Sequence, residues 1–138
     1  MKIEDNFVPY ELALKLEEKG YNIPFRLFGG NTVYYVDGSF ASYNDEARRM
    51  FPEKKYILAP LYQQVVDWFR EKHDIHIHIS RLYCYVDNKP RTFDGWCVYV
   101  DNGIEDSDLE CNSMFIKTFY PTYYEALTKA IEEALKLI

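Results

Sequence analysis

The chain has 138 residues, 48% of them hydrophobic and 28% charged, and carries a net charge of −6. This length fits one domain or two small units around a shared core, and the composition speaks against disorder. The negative balance speaks against generic binding to a phosphate backbone, which needs a basic face, and no apolar run approaches membrane-spanning length.

The opening segment, MKIEDNFVPYELALKL, is acidic early and lacks the apolar stretch of a secretory signal. A first helix is predicted over residues 9–19. Pro9 suits a first turn, where no N–H is needed, and Leu12, Ala13 and Leu16 form one apolar face. Gly20 supplies a left-handed stop. PFRLF and TVYYV flank Gly29, Gly30 and Asn31, a tight-turn signal, so residues 24–36 read as a hairpin. DGSFASYND then reads as turn and loop. The segment RRMFPEKK gathers Arg48, Arg49, Lys54 and Lys55 around Glu53, a solvated basic loop rather than an anion site.

A second helix is predicted over 61–73. Tyr62, Val65, Val66 and Phe69 make its stripe, and Arg70, Lys72 and His73 meet the negative end of its dipole. His73 closes the helix and Asp74 turns the chain into a strand, IHIHISRLYCYV, at 75–86. Its apolar parity changes from odd positions (Ile75, Ile77, Ile79) to even ones (Leu82, Cys84, Val86). Such a change calls for a bulge near Ser80–Arg81 or a passage between two environments. FDGWCVYVD, at 93–101, is the expected partner across the turn DNKPR. A symmetric turn there would set His76 opposite Glu105 and Cys84 opposite Cys97. An acidic loop at 101–110 and a strand SMFIKTF at 113–119 follow. The last helix is predicted over 123–137, opened by the Thr122-x-x-Glu125 capping pattern, with Glu125–Lys129 and Glu132–Lys136 paired on its outer face.

Together these elements describe an α+β chain, 1–138, with about three helices packed on a mostly antiparallel sheet of four to five strands. Any subdivision falls between 1–56, a helix plus hairpin, and 57–138, an α-β-β-(β)-α unit. The second order is similar to that of double-stranded-RNA-binding domains. Their last helix opens on lysines, however, whereas this one opens on PTYYEAL, so nucleic acid is an unlikely ligand.

The phrases FVPYELALKLEEKGYNIPF, APLYQQVVDWFREKHDIHIHI, GWC and YYEALTKAIEEALKLI occur in this order. Together they resemble a family of small uncharacterised proteins of bacterial and phage genomes, especially prophage regions. The resemblance covers most of the chain, with 31–56 and 101–118 least matched. It implies an intracellular, phage-linked accessory role and brings no catalytic residues with it.

All three histidines lie in HDIHIHIS, and on a strand His76 and His78 share one face while the isoleucines take the other. Two imidazoles on one face can grip a metal ion, yet a site needs at least a third ligand, and Cys84 is too far along the strand to supply it. The acidic loop lacks the calcium-binding spacing, and phosphate-loop, nucleophile-elbow and zinc-protease motifs are absent. No catalytic residue and no cofactor are assigned. The expected function is non-enzymatic: a cytoplasmic, homodimeric protein that acts by binding a protein partner. The 13 tyrosines motivate a candidate surface of Tyr34, Tyr83, Tyr85 and Tyr99 on the non-core face of the sheet. The alternatives are an anti-defence protein that binds a small nucleotide signal by stacking and Arg48 or Arg49, and a metal-binding protein using His76 and His78. The three cysteines, odd in number and without C-x-x-C, are expected to be free thiols in a reducing compartment.

Overall fold

The computed structural model describes residues 3–22, 31–43, 50, 55–86, 89–102 and 113–138, with backbone alone over 3–4, 31, 43, 82–86, 89–94 and 113–119. Among the described residues it holds three α-helices and two antiparallel three-stranded sheets, so the expected α+β class is correct, and the described strands divide between two sheets instead of forming one. The chain divides into two compact units, Met1–Gln64 and Val65–Ile138. Among the described residues, no helix is long and apolar enough to cross a membrane.

In the first unit a short 3-10 turn, Ile3–Asn6, leads into α1, Tyr10–Glu18. Pro9 caps α1, and Leu12, Ala13 and Leu16 are its buried face, as their spacing predicts. The helix ends in a left-handed stop. Gly20 has φ +84°, its N–H donates to the Glu17 carbonyl at 2.9 Å, and the Tyr21 N–H donates to the Leu16 carbonyl at 2.9 Å. This pair of bonds satisfies carbonyls that the helix end would otherwise leave open.

Strand β1, Asn31–Tyr35, lies between β2, Phe40–Tyr43, and β3, Tyr56–Leu58. Here the hairpin differs from expectation. TVYYV turns forward into FASY, and PFRLF lies outside the described residues. The turn is made by Asp37 and Gly38: the Gly38 N–H donates to the Tyr35 carbonyl at 2.8 Å, and the Ser39 N–H donates to Asp37 Oδ1 at 2.8 Å. Gly38 takes φ +80°, a left-handed step that lets a three-residue turn follow the strand twist. Tyr10 lies over this turn, with its hydroxyl donating to the Val36 carbonyl at 3.0 Å. The core of this unit gathers Ala13, Tyr34 and Ala59, with Phe7, Tyr10, Phe40 and Ile57 packed around them.

In the second unit α2, Tyr62–His73, buries Val65 and Phe69 completely. Its first turn, which spans the division between the units, is closed by Gln64, whose Oε1 accepts from the Leu61 N–H at 2.9 Å. This is half of a capping box. At the other end Asp74 adopts φ +53°, a left-handed step tolerated best by Gly, Asn and Asp, and the Ile75 N–H returns to the Phe69 carbonyl at 3.1 Å. Strand β4, His76–Val86, pairs with β5, Lys89–Asp101, which pairs with β6, Ser113–Tyr120.

The last helix, α3, spans Tyr123–Leu135 and packs across this sheet, most extensively on β5. Thr122 caps it as predicted, its Oγ1 accepting from the Glu125 N–H at 3.2 Å. Ala126, Ala130 and Ala134 alternate with Leu127, Ile131 and Leu135 on the buried face, so small residues let the helix sit close to the strands. The outer-face charges pair differently from expectation. Glu133 is the hub, 3.1 Å from Lys129 Nζ and 2.7 Å from Lys136 Nζ, and Lys129 also reaches Glu132 at 3.3 Å. Hydrogen bonds from Lys136 first and Lys129 second hold the Glu133 carboxyl below the usual carboxylate range, and the bond to Glu133 raises Lys129.

Gly20→Ala forces a Cβ into left-handed backbone and should lower unfolding stability by about 1 kcal/mol in denaturant melts, although the space beside it is open. Glu133→Gln should cost about 0.5 kcal/mol at neutral pH, as exposed pairs do. Because the Glu133 pKa is depressed in the fold, its contribution is complete above the ordinary carboxylate range and fades as pH falls through the folded value, so the difference between variant and parent should vanish in acid and in high salt.

Candidate functional site

The β4–β5 register decides which side chains meet. From His76 to Arg81 the pairing is unbroken: His76 with Asp101, His78 with Tyr99, Ser80 with Cys97, and Arg81 with Trp96. The register then shifts between Arg81 and Tyr83, and resumes as Tyr83 with Thr92, Cys84 with Arg91 and Val86 with Lys89. The expected parity change is thus a break in the ladder beside Arg81. The expected pairings are not formed. Lys89, Pro90 and Arg91 belong to β5 and not to a turn, so His76 faces Asp101 in place of Glu105, and Cys97 faces Ser80 in place of Cys84. Glu105 lies outside the described residues, as do Arg48 and Arg49.

The face bearing His76 and His78 is polar. The two imidazoles lie nearly parallel, 12° apart with ring centroids 6.4 Å apart, and His76 Nε2 is 3.3 Å from Asp74 Oδ1. Among the described residues, no three His, Cys, Asp or Glu side chains converge on a metal-sized site. Next along this face, Cys97 is a buried free thiol. Its Sγ is 3.1 Å from Ser80 Oγ and donates to the Ser80 carbonyl at 3.3 Å. A thiol held as a donor to a carbonyl is a packing group, since nucleophilic chemistry requires the thiolate.

The other face carries Ile77, Ile79, Val98 and Val100 toward α3 and ends in a cluster that the sequence reading missed. The Arg81 guanidinium carbon stands 5.2 Å from the centre of the Trp96 ring. Tyr123 meets Trp96 edge-on at 5.2 Å and 80°, and Tyr124 continues the contact at 5.7 Å and 82°. Tyr120 is the cross-strand partner of Trp96 on β6. The positions follow from local rules: the ladder sets Arg81 beside Trp96, and the Thr122 cap places Tyr123 in the first turn of α3, above the end of β5. Arg81 is exposed, Trp96 half-buried, and Tyr123 41% exposed. The available signal was GWC in register with SRL, together with a capping threonine directly before the two tyrosines.

Of the four tyrosines expected to form a surface, Tyr34 belongs to the first unit and Tyr83, Tyr85 and Tyr99 to the second. Tyr34 is only 8% exposed and belongs to the core of the first unit, where its hydroxyl donates to the Val8 carbonyl at 2.7 Å. Tyr99 is half-buried beside His78 in the second unit, while Tyr83 and Tyr85 are placed in β4 by backbone alone. The first unit has its own cleft of about 370 Å3 at the end of α1, lined by Ala13, Glu17, Gly20, Tyr21, Asn22, Ile57 and Leu58. Burial pushes the Tyr21 phenol well above its ordinary range, so it stays protonated there.

Comparison of the chain with family models, with curated proteins and with solved structures finds no match.

Arg81→Ala should remove the cation from the Trp96 face and cost about 0.5–1 kcal/mol in denaturant melts. Arg81→Lys should recover part of that loss, because an ammonium keeps the charge but not the planar stack.

Proposed function

We propose that this is a non-enzymatic binding protein that engages a protein partner through the Arg81–Trp96–Tyr123 cluster. One observation carries the reading: a tryptophan, an arginine and a tyrosine pack against one another at the solvent border of a helix-backed sheet. These residue types dominate binding energy at protein interfaces, because each offers a large rigid area with a polar handle. Here their geometry is fixed before any partner arrives. Arg81 is held by the Trp96 face and Tyr123 by the α3 cap, so little side-chain freedom remains to be lost on binding. A phage-linked, cytoplasmic accessory role is the setting implied by the family resemblance, and it rests on that resemblance alone.

The test is a pull-down from host cells with the untagged-surface protein immobilised through its N-terminus, followed by reconstitution with the purified candidate partner. Trp96→Ala and Tyr123→Ala should each weaken the reconstituted complex at least about tenfold, as centrally placed interface aromatics do. Glu18→Ala, an exposed change in the first unit, should leave it intact. A complex indifferent to both aromatic variants would place the interface elsewhere and remove this reading.

A further inference from the structure

We propose that His76, His78 and Asp101 form a zinc site on the polar face of the β4–β5 pair, one ion to each chain. The Arg81–Trp96–Tyr123 surface lies on the opposite face, and neither reading depends on the other.

Two imidazoles need a third protein ligand to hold zinc firmly, and the ladder offers one. His76 and His78 stand two positions apart on β4 and so share a face. Directly across from His76, on β5, is Asp101. Opposed residues of an antiparallel pair also share a face, so Asp101 occupies the position expected of Glu105 from a symmetric turn. The three Cβ positions form a triangle of about 6.7 Å along the strand, about 5 Å across it and about 7–8 Å on the diagonal. A point above this triangle lies about 4–5 Å from each Cβ, a gap that an imidazole or a carboxylate spans with a metal bond of about 2 Å. Two histidines and a carboxylate are a donor set that suits zinc, with the fourth position left to water.

The face is open to solvent at these residues. His78 and Ser80 are exposed, and the side chain of His76 is 38% exposed and that of Asp74 78%. The three groups share this face without meeting at one point, and the two rings stand nearly parallel at 6.4 Å. Imidazoles bound to one tetrahedral ion have their centres about 5 Å apart, so closing the site takes rotation of side chains and no shift of the ladder. Exposed side chains make such rotations within nanoseconds. The net charge of −6 draws a divalent cation toward the protein.

Asp74 gives the outer support. Its Oδ1 lies 3.3 Å from His76 Nε2, which leaves Nδ1 for the metal. A carboxylate on the far ring nitrogen fixes the tautomer and strengthens the ligand, the usual arrangement around zinc-bound histidine. The left-handed backbone at Asp74 holds that carboxylate at the head of β4.

The experiment is titration of the untagged, EDTA-treated chain with zinc chloride, followed by calorimetry and native mass spectrometry, and then with cobalt(II) as a spectroscopic probe. The expected result is one zinc ion per chain and cobalt bands of the intensity that four-coordinate sites give. Loss of a ligand costs more than loss of its support, so His76→Ala, His78→Ala and Asp101→Ala should each weaken zinc binding by more than about 100-fold, and Asp74→Asn by about 10-fold, with circular dichroism unchanged. Absence of zinc binding, an octahedral cobalt spectrum, or an affinity untouched by either histidine variant would each overturn the proposal. So would zinc binding that is indifferent to Asp101→Ala, which is the behaviour of a bare surface histidine pair.

Discussion

The unbroken ladder from His76–Asp101 to Arg81–Trp96 is the constraint on which the second unit depends. A strand presents alternate residues to opposite faces, so a slip of one position would carry Ile77 and Ile79 to the polar side and bring the histidines under α3. The apolar match fixes this register: Ile77 and Ile79 face Val100 and Val98, both of which are fully buried. Beyond Arg81 that match ends, and the ladder shifts. The shift falls where β5 passes through Gly95, directly before Trp96. Trp96 is half-buried, and its ring lies at the border between core and solvent.

The helices were legible because each carries its own punctuation. Pro9 and Gly20 bracket α1, Thr122 opens α3, and Asp74 ends α2, and each rests on a hydrogen bond or a backbone angle that depends on few neighbours. The strands were less legible for a corresponding reason. FASY is short, and its pairing with β1 is determined by a turn at Asp37–Gly38 and by Phe40 reaching the ring of Tyr34, 5.5 Å between centroids. The register across DNKPR was misjudged because Pro90 reads as a turn residue. It is accommodated inside β5 because the described β6 pairing begins only at Trp96–Tyr120, so at Pro90 the ladder has a partner on one side alone. Charge pairs on α3 erred in the same way. Spacing allowed several partners, and Glu133 collected two lysines because it lies closer to the helix–sheet boundary than Glu132.

Tyr34 shows why a count of aromatic residues is a poor guide to a surface. In the first unit its ring contacts Tyr10 and Phe40, and Phe40 contacts Phe7 at 4.8 Å, so four rings from the start of the chain, β1 and β2 make one packed group. The Tyr34 hydroxyl satisfies the Val8 carbonyl, whose N–H in turn donates to the Pro60 carbonyl at 2.9 Å. A tyrosine used in this way closes a small core that aliphatic residues alone would leave thin. The surplus of tyrosine is in part a structural device, and among the tyrosine side chains described only Tyr123, at the start of α3, is exposed.

The histidine pair and the Arg81–Trp96 cluster of the second unit have separate supports. His76 and His78 project from one face of β4, and Arg81 projects from the other, because an odd step along a strand reverses direction. Arg81 is braced by Trp96 from β5, whereas His76 is braced by Asp74 from the preceding helix end. A change at the histidines removes no contact of the tryptophan, and a change at Trp96 leaves the Asp74–His76 pair in place. Side chains with separate supports and no shared partner contribute nearly independently.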